Sequence, residues 1–211
     1  KWGKIFKKAN SLLHLTVTGG EPFLRKDFVQ IIDNIILSCG VPKISIKSNG
    51  FYTDRIKKFV PELIEKHPNT EFTLSISLDG PEEIHDKVRV FKGAYKKVLE
   101  TLEVMKIYRE KKNFFLRLAS VLTKDNRHHL EKLFETTSKW SIDFHELIMV
   151  RDVPSSEQLE LKNDYERLSK IQQERASPQW KKSFNGKLFE KIYLETLKRI
   201  DSDKVHSPCL A

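Results

Sequence analysis

Short apolar segments alternate with longer amphipathic segments over the first 150 residues of the chain. The short segments are rich in β-branched and aromatic residues and predict five strands, at 12–18, 43–47, 71–78, 114–122 and 142–150. The longer segments repeat their apolar residues at helical spacing and predict helices at about 25–38, 54–66, 94–111 and 127–139, with a short helical turn at 82–87. Strands that alternate with helices of this length are typical of a parallel sheet with right-handed crossovers.

Three residues predict how individual helices begin or continue. Asp54 and Asn126 have short polar side chains in front of amphipathic segments and are predicted N-caps. Pro61 lies inside the segment 54–66, where its missing N–H should kink or interrupt the helix.

The pattern as a whole predicts an α/β fold, a partial (βα)6 TIM-like barrel of parallel strands followed by a helical segment. Residues 2–10 have the spacing of a helix end, which indicates one further strand before the five visible ones. We expect two regions, a barrel at 1–150 and a charged helical segment at 151–211, with helices at about 157–175 and 186–202 and a break at Ser177-Pro178.

Composition narrows the class of protein without identifying a function. With 211 residues, 39% of them hydrophobic and 32% charged, the chain is long and apolar enough to fold around a sizeable core. It contains no apolar run near the roughly 20 residues of a membrane span, no secretory signal and only two cysteines, so we expect a cytoplasmic protein. The net charge of +9 is spread over the helices and fits either a solvated lysine-rich surface or an anionic partner such as a nucleic acid or an acidic peptide.

Polar groups follow each predicted strand at the end where parallel α/β folds bind their ligands. They are Gly19-Gly20-Glu21-Pro22 after the first strand, Ser48-Asn49-Gly50 after the second, Ser77 and Asp79 at the end of the third, Ser120 near the end of the fourth, and Val150-Arg151 at the end of the fifth. Ordinary turns explain any one of these groups, but Glu21, Ser77, Asp79 and Arg89 together would match a zwitterionic ligand with an amine, a carboxylate and a diol.

These motifs resemble those of radical S-adenosylmethionine (radical SAM) enzymes. The resemblance covers about residues 1–150 and is carried by Thr18-Gly19-Gly20-Glu21-Pro22, by Ser48-Asn49-Gly50 and by the run Ser77-Leu78-Asp79-Gly80-Pro81 with Ile84-His85-Asp86 and Arg89. That run is especially similar to the branch with a C-terminal SPASM extension, which includes sulfatase-maturing and peptide-modifying enzymes. The closing Pro208-Cys209-Leu210-Ala211 is similar to the Cys-x-Ala-Gly sequence with which SPASM domains begin.

The resemblance implies an enzyme that cleaves S-adenosylmethionine (SAM) reductively to a 5′-deoxyadenosyl radical, which abstracts hydrogen from a peptide or protein side chain. It implies SAM and a [4Fe–4S] cluster as cofactors, with auxiliary iron–sulfur clusters in an extension for which Cys209 is a candidate ligand. The implied partners are a peptide or protein substrate and a reductant such as flavodoxin or ferredoxin. Two alternatives remain open: a nucleotide or tRNA substrate, and a cluster-less binding module without radical chemistry.

The resemblance also assigns roles to individual residues. Gly19, Gly20 and Glu21 would hold the methionine amine of SAM, and Ser77 and Arg89 its carboxylate. Asp79 would order its turn or reach the ribose, Ser120 would approach the ribose, and backbone groups near Val150 and Arg151 would meet the adenine. The remaining predicted cofactor-binding residues are Pro22, Ser48 and Asn49.

The cluster loop of the family, Cys-x3-Cys-x2-Cys after the first strand, is not in this sequence. We expect it upstream of Lys1 in a longer protein; the rival is a degenerate relative without a cluster. Cys39 lies on a predicted helix and is expected to pack as a small apolar residue. His85, His128 and His129 are expected to be packing or surface residues rather than metal ligands. A general base is expected at the strand ends or in the extension, and no residue is assigned to that role.

Overall fold

The computed structural model describes residues 12–150 and 155–182. Five strands form one sheet in chain order: β1 (Leu15–Val17), β2 (Lys43–Ser48), β3 (Glu71–Ser77), β4 (Phe114–Leu122) and β5 (Phe144–Met149). Every neighbouring pair is parallel. The predicted fold class is therefore confirmed: the chain is an α/β protein whose parallel strands form a partial TIM-like barrel.

Seven α-helices are described, and the five that follow β1 to β4 lie where the sequence predicts helices or, for the short one after β3, a helical turn. They are α1 (Phe28–Cys39), α2 (Thr53–Lys66), α3 (Glu82–Arg89), α4 (Ala94–Met105), α5 (Leu130–Thr137), α6 (Ser155–Arg175) and α7 (Pro178–Lys182). Short 3₁₀ turns at Pro22–Leu24 and Lys106–Glu110 precede α1 and follow α4. No helix of the described ranges is long and apolar enough to cross a membrane.

The two predicted N-caps are wrong. Helix α2 begins at Thr53 with Tyr52 as its N-cap, and Asp54 lies inside the first turn, where its charge favours the helix dipole. Asn126 does not cap a helix: its amide donates to the carbonyls of Asp79 and Val121 at 2.9 and 2.8 Å, and α5 begins only at Leu130.

Pro61 is predicted to kink or interrupt its helix, and the interruption does not occur, because α2 runs unbroken to Lys66. Ile56, Val60 and Leu63 are at most 1% exposed on the buried side of this helix. Burial of three such side chains stabilises the helix by several kcal/mol in total, more than the ~3 kcal/mol that an interior proline costs.

Two further predictions can be compared with the chain after β5, the helix at about 157–175 and the break at Ser177-Pro178. The predicted helix corresponds to α6, which runs from Ser155 to Arg175. The break at Ser177-Pro178 is confirmed, since α6 ends at Arg175 and α7 begins at Pro178. The helices predicted at 2–10 and 186–202 lie outside the described residues, as do Arg151 and Cys209.

The sheet has one apolar face and one polar face. Sequential parallel strands with crossovers of one hand place the helices on a single side. On that helix-facing side, strand residues such as Ile46, Leu74 and Leu118 pack with helix residues in one large core. Burying these side chains provides most of the stability of the domain.

The opposite side, called the inner face below, carries the alternate residues of each strand. Lys47 pairs with Ser75, Ser75 with Arg117, and Arg117 with Phe144, so these four residues form one row across β2 to β5. Residues paired in parallel strands point to the same side of a sheet. Polar and charged side chains therefore concentrate on the inner face.

A small aromatic cluster closes the inner face near the starts of β4 and β5. Trp180 of α7 is 3% exposed and stacks on Phe144 with the ring centroids 5.4 Å apart, and its edge meets Phe115 at 5.5 Å. This cluster is separate from the main core. It forms an apolar floor next to the polar members of the row, with the Trp180 ring centre 5.7 Å from the guanidinium carbon of Arg117.

Candidate functional site

The carboxylate of Glu21 organises the end of β1 and β2. Its Oε1 accepts hydrogen bonds from the Ser48 hydroxyl at 3.0 Å and from the Phe23 N–H at 3.2 Å. Its Oε2 accepts from the Asn49 N–H at 2.7 Å. Glu21 is 9% exposed, so three donors from two loops hold a nearly buried charge in one place.

One acceptor position of this carboxylate is left over. A carboxylate has about four lone-pair positions, and the described residues occupy three of those of Glu21. The remaining position is on Oε2, which has one donor. It can accept a hydrogen bond from an ammonium group.

The two glycines before Glu21 leave open space beside it. Both are exposed, and a Cβ added to Gly19 or Gly20 would meet no atom within 4 Å. Gly19 has φ of +135°, a conformation that only glycine adopts easily. The sequence therefore keeps backbone groups accessible at the point where β1 ends. Pro22, the next predicted residue, is buried and begins the 3₁₀ turn that fixes the exit of the chain.

A second group of charges lies after β3. The Asp79 carboxylate, 2% exposed as a residue, pairs with Arg89 through Oδ2 and the guanidinium at 2.7 Å. Its Oδ1 accepts from the Val121 N–H of β4 at 3.0 Å. The bonds fix the turn after β3 against β4 and against the end of α3.

His85 supports the same turn from inside the protein. Its Nδ1 accepts from the Asp79 N–H at 3.1 Å, which places the ring proton on Nε2. Burial lowers the pKa of His85 to about 4, so the imidazole is neutral at pH 7. The expectation that His85 is a packing residue is consistent with its complete burial.

Arg89 keeps donors that Asp79 does not use. Its side chain is 28% exposed, and its Nε is buried without a hydrogen-bond partner among the described residues. A guanidinium has five N–H donors in a planar fork, so a carboxylate can bind beside the pair with Asp79. Ser77 lies half-buried on the inner face at the end of β3, paired in register with Ala119.

Two of the predicted residues lie apart from these groups. Ser120 is completely buried on the helix-facing side, where its hydroxyl bonds the Leu78 carbonyl and His145 Nε2, the latter at 2.8 Å. Val150 follows β5, and its N–H donates to the Leu122 carbonyl at 3.2 Å. Of the predicted set, the structure brings Glu21, Ser48 and Asn49 together, and Asp79 with Arg89.

The sequence interpretation missed a charged cluster on the inner face. Lys47 Nζ lies 2.9 Å from Glu146 Oε2, and an Arg117 guanidinium nitrogen lies 3.3 Å from the same oxygen. Burial acts to raise the pKa of Glu146, but Arg117 and Lys47 outweigh it and hold that pKa below its ordinary value. The signal that could have found the cluster is the period-two recurrence of polar residues within otherwise apolar strands.

The described residues provide no metal site of their own. No group of three His, Cys, Asp or Glu side chains that could hold a metal ion occurs within 12–150 and 155–182. Cys39 is partly buried, and its thiol bonds the Ile35 carbonyl one helical turn earlier.

Comparison with known proteins places these observations in a family. The profile of the Radical SAM superfamily matches residues 2–137. The chain is 27% identical over 158 residues to a cysteine-type anaerobic sulfatase-maturating enzyme of Clostridium novyi (strain NT), over 71% of this chain and 39% of that protein. It is also 27% identical over 109 residues to the molybdenum cofactor biosynthesis protein moc-5 of Caenorhabditis elegans, over 46% of this chain and 18% of that one.

A solved structure agrees on the fold. The crystal structure of archaeal TYW1 superposes with a TM-score of 0.54 over 82% of this chain and 54% of that one, at 24% sequence identity. At this identity the likeness concerns the fold alone. The chain spans less than half the length of the curated relatives it matches.

Proposed function

The chain belongs to the radical SAM superfamily, and on that premise we propose that it is the core of an enzyme that cleaves SAM reductively and abstracts hydrogen from a peptide or protein side chain. The peptide substrate is supported by the similarity to a sulfatase-maturating enzyme and by the SPASM-like run 77–89. The observation that carries the proposal is that both charged groups at the strand ends retain unused polar atoms of the right kind for a zwitterion.

The residues at the strand ends fit the amino-acid part of SAM. Glu21 has one unused acceptor position on Oε2, next to the open space at Gly19 and Gly20, and would hold the ammonium group. Arg89 has an unpartnered Nε among the described residues and would hold the carboxylate together with Ser77. Opposite charges at both ends fix the orientation of a zwitterion, because reversing it would bring like charges together.

The other predicted residues have supporting roles in this proposal. Ser48 and Asn49 hold the Glu21 carboxylate, and Pro22 fixes the turn that carries it. Asp79 positions Arg89 rather than touching the cofactor. Backbone groups near Val150 would meet the adenine, whereas Ser120 is left out of the proposed site because its hydroxyl is already bonded on the helix-facing side.

Membership of the superfamily implies SAM and a [4Fe–4S] cluster as cofactors. When bound, they supply one-electron cleavage of the sulfonium and a 5′-deoxyadenosyl radical. The described residues contain no ligand set for a cluster, so we assign no ligand within them. The chain itself supplies the Glu21 carboxylate as a fixed acceptor for the ammonium group and the Arg89 guanidinium as a fixed donor to the carboxylate of SAM. It also supplies an apolar floor that limits the access of water.

We further propose a cytoplasmic setting with a flavodoxin or ferredoxin as reductant, and auxiliary clusters in a SPASM-type extension. The test uses protein from the complete gene, purified without oxygen and reconstituted with iron and sulfide. We expect 5′-deoxyadenosine to form from SAM after addition of a reductant and to be lost without it. A protein that holds a [4Fe–4S] cluster and binds SAM yet yields no 5′-deoxyadenosine would refute the proposal.

A nucleotide or tRNA substrate is the second candidate, and the net charge of +9 is the observation that favours it. Binding of RNA should then weaken steeply with salt, because each neutralised phosphate releases counterions. Titration of labelled tRNA at several salt concentrations distinguishes the two candidates. A slope near zero favours the peptide substrate, and a steep slope at micromolar affinity favours the RNA.

A further inference from the structure

The charged cluster on the inner face has an excess of one positive charge. Lys47 and Arg117 bring two positive charges and Glu146 one negative charge, all meeting at Glu146 Oε2. Another charged pair on this face, Lys43 with Glu71 at 3.9 Å, is neutral as a pair. The side chains of Lys47 and Arg117 are 29% and 8% exposed, so one positive charge is held largely away from water without a counter-charge among residues 12–150 and 155–182.

Two polar atoms of the same row lack partners. Ser75 is 1% exposed and Arg117 is 7% exposed, and neither the Ser75 hydroxyl nor the Arg117 Nε has a hydrogen-bond partner among the described residues. Ser75 pairs in register with Arg117 on one side and with Lys47 on the other. A buried donor without an acceptor is costly, typically by about 1–3 kcal/mol in proteins. The unpaired donors and the unbalanced charge therefore point to the same missing group, an anion.

The position of the cluster relates it to the reaction. Arg117 lies above the aromatic floor, with the Trp180 ring centre 5.7 Å from its guanidinium carbon. Ser77, at the end of the same strand as Ser75, lies two residues further toward the mouth. A group bound at Arg117 thus lies inside the barrel, below the strand ends that we assign to SAM.

We propose that Lys47, Ser75 and Arg117 bind a carboxylate group of the substrate on the inner face of the barrel. The proposal rests on the proposed function, since it names a substrate group for the same site. The net charge selects a carboxylate over a phosphate: one monoanion balances the single excess positive charge, whereas a phosphate dianion would leave a negative charge in a largely buried place. Burial and the positive charge of Arg117 lower the pKa of Lys47, and Glu146 offsets this effect only in part.

Nuclear magnetic resonance of the ¹⁵N-labelled chain tests the proposal with acetate as the probe. The Nε–H signal of Arg117 is assigned by its loss in Arg117→Lys and is followed at constant ionic strength while acetate replaces chloride. We expect a saturating shift of this signal, with acetate bound more tightly than inorganic phosphate. Lys47→Met should weaken acetate binding about tenfold, and Lys43→Met, on the same strand and face, should leave it within about twofold.

Three results would overturn the proposal. They are an Arg117 signal that does not respond to acetate, equal weakening by Lys43→Met and Lys47→Met, and phosphate binding as tight as acetate binding. Backbone amide spectra of each variant show whether it is folded, so that a misfolded variant is replaced by Lys47→Gln. The measurement involves neither SAM nor a cluster. Its failure would leave the proposed SAM cleavage standing, and failure of SAM cleavage would leave this result standing.

Discussion

Replacing Glu21 by glutamine isolates the charge that holds the mouth of the barrel together. The two side chains have nearly the same shape, but the amide presents one acceptor oxygen and one NH₂ donor group in place of two acceptor oxygens. The carboxylate accepts from Ser48 and Phe23 at Oε1 and from Asn49 at Oε2. Glutamine can satisfy only one of these two sides, because its NH₂ group would face a donor on the other.

The expected loss of stability follows from these contacts. One buried N–H left without an acceptor costs about 1–3 kcal/mol. The remaining hydrogen bonds lose their charge assistance and with it about half of their strength. Together these effects predict a decrease of about 3 kcal/mol in the free energy of unfolding for Glu21→Gln. With an m-value of about 2 kcal/mol per M, the urea midpoint should fall by about 1.5 M.

Urea unfolding followed by circular dichroism at pH 7 measures this difference. Glu62→Gln is the matched control, since Glu62 is exposed on α2 and the change should stay within about 0.5 kcal/mol of the parent chain. If Glu21→Gln unfolds at the same urea concentration as Glu62→Gln, the carboxylate is not held by three donors and the reasoning fails. In the complete reconstituted protein, Glu21→Gln should also weaken SAM binding, because the acceptor for its ammonium group loses its charge.

Three further changes test other parts of the site. Gly50→Ala should destabilise by about 2–4 kcal/mol in urea unfolding, because Gly50 has φ of +77° and the added Cβ would lie 2.8 Å from a methyl group of Ile76; Gly93→Ala, with φ of +90° and open space, should lose less. Burial lowers the pKa of His145 from 6.5 to about 3, so the buried neutral imidazole stabilises the fold fully above pH 6.5 and this stabilisation is lost as the pH falls toward 3. By pH 5 the free energy of unfolding should have fallen by about 2 kcal/mol, and His145→Gln should remove this part of its dependence on pH. Arg89→Lys should weaken SAM binding about tenfold in calorimetry of the reconstituted protein, since lysine keeps the charge and loses the fork; unchanged affinity would place the carboxylate of SAM elsewhere.

Local sequence signals predicted the parts of the fold that depend on local chemistry. The bounds of β4 agree with the predicted strand at 114–122, because a nearly continuous run of apolar residues makes this segment unambiguous. β1 is shorter than the predicted 12–18 and pairs with β2 over only three residues. Helix starts were less predictable. The Asn126 side chain bonds a turn that is distant in sequence, and nothing near Asn126 in the chain indicates that partner.

The candidate site likewise contains some residues that the sequence could predict and others that it could not. The groups at Glu21 and Asp79 lie in contiguous motifs and could be recognised from the sequence alone. The position of Ser120 could also have been predicted from strand alternation, since it shares its side of β4 with Leu116 and Leu118, which belong to the helix-facing core. The row of Lys47, Ser75 and Arg117 required the register of three strands, which no single segment encodes.

The polar groups of the inner face and of the strand ends share one property that connects structure to function. Each group is held by bonds within the protein before any ligand arrives: Glu21 by three donors, and Arg89 by Asp79. Each also retains an atom whose bonding capacity is unused among the described residues, namely an acceptor position at Glu21 and an Nε donor at Arg89 and at Arg117. Groups that are already fixed lose little entropy when a ligand binds, and they discriminate sharply against a ligand of the wrong charge. The radical enzyme that we propose would need such discrimination, because a reactive intermediate must meet only the intended hydrogen atom, and the rigid sheet beneath these groups would help to provide it.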